Sequence, residues 1–189
     1  MPRLFFALQP GPSQRQAMHE ATLPLVRETG GRPVHPEDLH LTLCFLGEVP
    51  GQQVATLIAA GDRVRPLAAR IAFDRMDFWR RSRVLCLLPR RDEAAGAVED
   101  LAAGLRNAAT GAGFTPDARP FIAHVTIARK VSPAKAGNHA WPLALPAPLD
   151  FASGGFALLS STGGGDEPRY KVVHAWDGPP PLPSPARGS

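Results

Sequence analysis

Two scarcities narrow this 189-residue chain before any motif does. It carries only two cysteines, Cys44 and Cys86, which leaves little to build a disulfide framework on and offers no metal-type Cys spacing. Each lies inside an apolar strand-like run, so both are expected to be buried free thiols in a reducing compartment. No apolar stretch approaches the length of a bilayer-crossing helix, and the apolar part of the opening MPRLFFALQPGP is too short for a secretory leader. The expectation is a cytoplasmic protein without a membrane partner.

Proline and glycine are abundant instead, at 21 and 18 residues, and they argue for short punctuated elements rather than long uninterrupted helices. The length fits one compact domain, or two small lobes sharing a core, that folds as a monomer. Net charge is +4 with a sequence pI near 9.7, which favours an anionic partner such as nucleic acid or phosphate. The domain is expected to span residues 1–177. Residues 178–189, Pro- and Ser-rich, cannot build a core and read as a disordered tail.

Along the chain, RLFFAL (3–8) reads as a buried strand. A helix follows from Pro12 and Ser13 to Gly30 and Gly31, with Pro24 expected to kink or shorten it. A strand runs from about Leu39 to Leu46, and a second helix fits 51–64. RIAFDRMDFW and RVLCLLP form a hairpin around a basic turn with Arg80, Arg81 and Arg83. A solvated loop and an RNA-facing loop explain that turn equally well. A third helix buries Val98, Leu101, Ala102 and Leu105 and leads to a strand at HVTIAR (124–129). FASGGFALLSS and RYKVVHAW supply two closing strands around TGGGDEP.

Within this order one arrangement occurs twice: strand, helix, then a strand bearing His-x-Thr. Leu8 to His40 spans 32 residues and Leu88 to His124 spans 36, which suggests two similar lobes. Because side chains alternate along a strand, His40, Thr42 and Cys44 should share one face, with Leu39, Leu41, Leu43 and Phe45 on the other. His124 and Thr126 likewise share a face opposite Phe121, Ala123, Val125 and Ile127. Two such faces side by side would form a cleft of two imidazoles and two hydroxyls. One neutral imidazole can take a proton from water or a hydroxyl, and the other, protonated, can give one to a leaving oxygen. Threonine hydroxyls can donate to phosphate oxygens. A lone His-x-Thr would carry little weight; two in matched contexts point to phosphoryl chemistry. Metal binding by the histidines lacks a third ligand to complete it, so no metal or cofactor is expected. His19, His35, His139 and His174 read as exposed or satisfied.

PEDLHLTLCFLGEV with HVTIAR, after the N-terminal RLFFAL, resembles the 2H phosphoesterase superfamily, nearest to the bacterial and archaeal RNA 2',3'-cyclic phosphodiesterases, also called 2'-5' RNA ligases. The likeness runs from about residue 3 to 176. It implies an α+β, bilobal fold of two antiparallel sheets flanked by helices around a central cleft, with pseudo-two-fold symmetry. It also implies metal-free hydrolysis of RNA 2',3'-cyclic phosphate ends to 2'-phosphate, and ligation in reverse. His40 would be the general acid, His124 the base, and Thr42 and Thr126 would hold the phosphate. The chain departs from the family pattern at Ala123, where proline is common, and at Cys44, where a basic residue is common. Family precedent assigns Arg129 to the phosphate, whereas strict alternation turns Arg129 away and Lys130 inward; Arg129 reaches the cleft only if its strand ends or bulges. Two other readings are a phosphoesterase for another cyclic phosphate or small nucleotide, and a non-catalytic RNA- or nucleotide-binding module.

Overall fold

The computed structural model describes residues 1–161 and 168–178, so the expected tail beyond Gly178 and most of TGGGDEP lie outside the described residues. β1 (Arg3–Leu8), α1 (Pro12–Glu28), the two-residue β2 (Arg32–Pro33), β3 (Leu41–Glu48) and α2 (Val54–Gly61) make the first part. β4 (Ala69–Trp79), β5 (Val84–Pro89), α3 (Glu93–Gly111) and β6 (Val125–Arg129) repeat the strand-helix-strand order. A short α4 (Pro133–Ala136), β7 (Leu143–Ser153), β8 (Gly155–Ser161) and β9 (Tyr170–Asp177) complete it.

Among the described residues the strands form one antiparallel sheet in the order β7-β4-β5-β6-β3-β1-β8-β9, with β2 beside β6. The two expected sheets are its two halves, β7-β4-β5-β6 and β3-β1-β8-β9. They are joined by a single residue pair, Leu41 opposite Val125. The halves match strand for strand, so the expected pseudo-two-fold relation is visible in the topology. The helices cross between them: α1, which follows β1, packs on β6 and β7, while α3, which follows β5, packs on β3 and β4. Each helix thereby covers part of the opposite half and ties the two together.

Alternation along β1 separates the two faces of the sheet. Leu4, Phe6 and Leu8 enter the main core with Leu41, Leu87, Val98, Leu105 and Val125. Phe5 and Ala7 point the other way, into a small cluster with Ala157 and Leu159 that Tyr170 borders. α3 buries the expected stripe of Val98, Leu101, Ala102 and Leu105.

Three expectations need correction. α1 and α3 are 17 and 19 residues long despite the proline and glycine content, and α1 runs through the exposed Pro24 to Glu28, because Met18, Thr22 and Val26 on its inner face hold it to the core. FASGGFALLSS is not one strand, since Gly154 divides β7, paired with β4, from β8, paired with β1 in the other half. β7 also begins earlier, through Pro146 and Pro148. These fall where its pairing with β4 is irregular, on an edge strand where a missing N–H costs no ladder bond. The third correction, at Cys44, belongs to the site.

Candidate active site

His40 and His124 each stand one residue before their strands, β3 and β6, at the seam between the halves. The pair Leu41–Val125 sets the register there; continued by one residue each way, it puts His40 opposite Thr126 and Thr42 opposite His124. The four side chains line one cleft together with Arg129, Phe5, Phe45 and Tyr170. The expected quartet is thus brought together, and Arg129 with it.

Arg129 arrives through a bulge. β6 pairs Thr126 with Cys86 but Ala128 with Leu85, which leaves Ile127 as an extra residue. Ile127 and Ala128 are both buried, and the next side chain, Arg129, turns back to the face of Thr126. β3 does the same: Thr42 pairs with Ala7 and Cys44 with Phe6, leaving Leu43 extra. Leu43 and Cys44 are therefore both buried, and Phe45, 38% exposed, joins the cleft. Strict alternation had put Cys44 in the cleft and Phe45 in the core; the bulge reverses both. Lys130, one residue beyond the strand with φ 55°, borders an adjoining pocket instead, which Arg129 and Tyr170 also line.

The rings are held alike. His40 Nδ1 lies 2.6 Å from the carbonyl oxygen of Asp38, and His124 Nδ1 lies 2.7 Å from that of Ile122. A carbonyl only accepts, so each Nδ1 donates, and the lone pair of each neutral ring sits on Nε2. His40 Nε2 is 3.1 Å from the Thr42 hydroxyl, which donates to it while the ring is neutral.

Surroundings distinguish the two. His40 is flanked by Phe5 and by the edge-on ring of Tyr170, at centroid distances of 5.0 and 4.8 Å, while Trp79 covers His124 at 4.5 Å. Burial pushes His40 down to about 4, with the positive charge of Arg129 and the neighbouring His124 adding to the effect and the Asp38 hydrogen bond opposing it. Burial, then Arg129, also lowers His124, against the Ile122 hydrogen bond. An anion in the cleft would counter the Arg129 contribution and favour both imidazolium forms.

Tyr170, the chain's single tyrosine, links the His40 imidazole to the cation: its ring packs on His40 and its hydroxyl accepts from Arg129 Nη2 at 3.2 Å. The buried Asp38 seats it. The Asp38 carboxylate accepts the backbone N–H groups of Arg169, at 2.8 and 3.0 Å, and Tyr170, at 3.1 Å, while its carbonyl holds His40. Neither residue stands out in the sequence, because their contacts span 131 and 132 positions. Phe5 and Phe45 gave no signal either, being apolar residues in apolar runs.

Three of the four other histidines have partners outside the cleft. His35 Nδ1 accepts from the Glu37 N–H, His139 Nε2 stands 3.3 Å from Glu28, and His174 packs on Trp176. Both thiols are buried on or against the core, and burial raises Cys44 to about 11 and Cys86 to about 12, so neither supplies a thiolate near neutrality. No helix among the described residues is long and apolar enough to cross a membrane.

Comparison with known proteins places the chain in a family. A family profile described as "LigT like Phosphoesterase" matches residues 9–86 and 88–170. The RNA 2',3'-cyclic phosphodiesterase of Escherichia coli K12 is 33% identical over 178 residues, covering 92% of this chain and 95% of that protein. The protein of the same name from Thermus thermophilus is 31% identical, covering 90% and 87%. The crystal structure of E. coli LigT complexed with 3'-AMP superposes with a TM-score of 0.80 at 30% identity, covering 94% of this chain and 99% of that one. With two His-x-Thr strands meeting at one cleft and a match over most of its length, this chain belongs to the LigT-like phosphoesterase family, within the 2H phosphoesterases.

Proposed function

We propose that the protein hydrolyses RNA 2',3'-cyclic phosphate ends to 2'-phosphates, with His40 as general acid and His124 as general base. The observation that carries this reading is that both rings donate from Nδ1 to a carbonyl two residues upstream, which leaves both Nε2 atoms for the cleft. His124 Nε2 takes a proton from water as the water oxygen attacks phosphorus. The bond from phosphorus to the ribose 3'-oxygen breaks, and imidazolium His40 gives its Nε2 proton to that oxygen. Bulk water restores both protonation states. Thr42 and Thr126 donate to the non-bridging oxygens, and Arg129 balances their charge. Thr42 is then released from the His40 ring, whose protonated Nε2 no longer accepts.

A 5'-hydroxyl in place of water would run the same steps toward 2'-5' ligation. No step is routed through a metal or cofactor. The reading assigns the activity to residues 1–177 as one bilobal domain, acting as a cytoplasmic monomer. A second reading, in which a small cyclic nucleotide is the substrate, draws on the E. coli LigT structure with 3'-AMP. The deciding experiment is a panel of RNA 2',3'-cyclic phosphate ends, 2',3'-cyclic mononucleotides and 3',5'-cyclic nucleotides, assayed in excess EDTA with products identified by mass and phosphorus NMR. Release of 2'-phosphate from RNA ends supports the reading. Turnover confined to mononucleotides supports the second, and turnover only with an added divalent ion overturns the mechanism.

A further inference from the structure

The basic turn between β4 and β5 stands next to the cleft, a position its sequence did not reveal. Trp79, the last residue of β4, packs on His124 at 4.5 Å. The turn that follows is pinned to the end of β6: the Val131 N–H donates to the Arg83 carbonyl at 3.0 Å, and Arg83 Nε donates to the Val131 carbonyl at 3.0 Å. Arg83 closes the turn with φ 54°, a left-handed conformation uncommon for a side chain of its size. The result is a rigid basic ledge rather than a loose loop. Arg80 and Arg81 are exposed on it, and the exposed Lys130 lies beside Arg83 through the Val131 bonds. No carboxylate among the described residues forms an ion pair with Arg80, Arg81, Arg83 or Lys130.

We infer that this ledge is a polynucleotide-binding surface that receives backbone phosphates of the RNA upstream of the terminal nucleotide held in the cleft. The inference rests on the RNA-end reading above and specifies its substrate class as an RNA chain rather than a mononucleotide. A cyclic phosphate at a chain end occupies the catalytic cleft with one nucleotide, so the rest of the chain must leave over one wall. On the His124 side the Trp79 ring packs on the imidazole, and the arginines of the turn follow it directly in the chain. Such a surface suits a single strand: flexible cations follow the phosphates without reading sequence, and each phosphate neutralised releases counterions.

The test is Arg80→Gln/Arg81→Gln, both exposed and neither in the catalytic cleft, set against Arg63→Gln/Arg65→Gln. The control makes the same charge change at exposed residues just beyond α2, on the helix-covered side. For an RNA 8-mer ending in 2',3'-cyclic phosphate, the ledge variant should lose about tenfold in kcat/KM at low salt while a 2',3'-cyclic mononucleotide changes less than about twofold. Its dependence of log kcat/KM on log salt should flatten by about 1.4, about 0.7 for each single-strand phosphate contact removed. The control variant should change neither. Equal losses on both substrates, or equal losses in the ledge and control variants, overturn the inference. Fluorescence anisotropy of an 8-mer ending in 3'-phosphate gives a readout that needs no turnover. If no cyclic phosphate is hydrolysed, the functional reading falls, yet weaker, less salt-dependent binding by the ledge variant alone still supports the surface. Unchanged binding sinks it.

Discussion

The 2.6 Å contact between His40 Nδ1 and the Asp38 carbonyl leaves Nε2 as the ring nitrogen that faces the cleft, and it partly offsets the burial that holds the ring neutral. In the free protein His40 sits at about 4, below the pH at which the cell works. In the proposed role His40 must be protonated, and its protonated fraction falls as pH rises above its pKa. Bound phosphate brings negative charge against Arg129 and raises that pKa. The basic limb of kcat should therefore lie at higher pH than that of kcat/KM, since the first reports the complex and the second the free protein. Histidine NMR provides a direct check: the His40 resonance should titrate near pH 4 alone and at higher pH with inorganic phosphate. A shift in the opposite direction refutes the electrostatic account.

Role separation follows from leaving-group chemistry. His40→Ala and His124→Ala should each lower kcat by about two to four powers of ten while remaining folded. A substrate whose leaving oxygen is too acidic to need protonation should restore turnover to His40→Ala far more than to His124→Ala. Selective rescue of His124→Ala would reverse the assignment.

Tyr170 should divide into two functions. Tyr170→Phe keeps the ring against His40 and removes the acceptor for Arg129, so KM should rise about fivefold, the worth of one ordinary hydrogen bond, with kcat little changed. Tyr170→Ala also opens His40 to water. Its pKa should then move up from about 4 toward the ordinary imidazole range, because burial is the largest cause of its depression. An unmoved His40 titration would show that other groups bury it.

Asp38→Ala should cost about 2–4 kcal/mol in denaturant unfolding, since it leaves the backbone N–H groups of Arg169 and Tyr170 without their buried acceptor. Asp38→Asn keeps one acceptor oxygen and should cost less. Equal stability of the alanine variant and wild type would mean that water replaces the carboxylate.

Much of the site was legible in the chain because its signals are local. Two His-x-Thr stretches on apolar strands, each after a strand and a helix, suffice to place four polar side chains on two sheet faces. The period of two holds for the three residues from His to Thr. It fails one residue later, where Leu43 and Ile127 bulge out of pairings with β1 and β5. A bulge is decided by the partner strand, so no reading of HLTLCFLG or HVTIAR alone could exchange Cys44 for Phe45 or bring Arg129 inward. The same holds for the joining of the halves at Leu41 and Val125, and for Asp38 and Tyr170, which meet across 132 positions of the chain. Sequence by itself determined the composition of the His-Thr quartet in the cleft and the strand-helix-strand order that carries it twice. Tertiary structure alone decided the register at the seam and the aromatic and cationic walls, because those depend on which strands become neighbours.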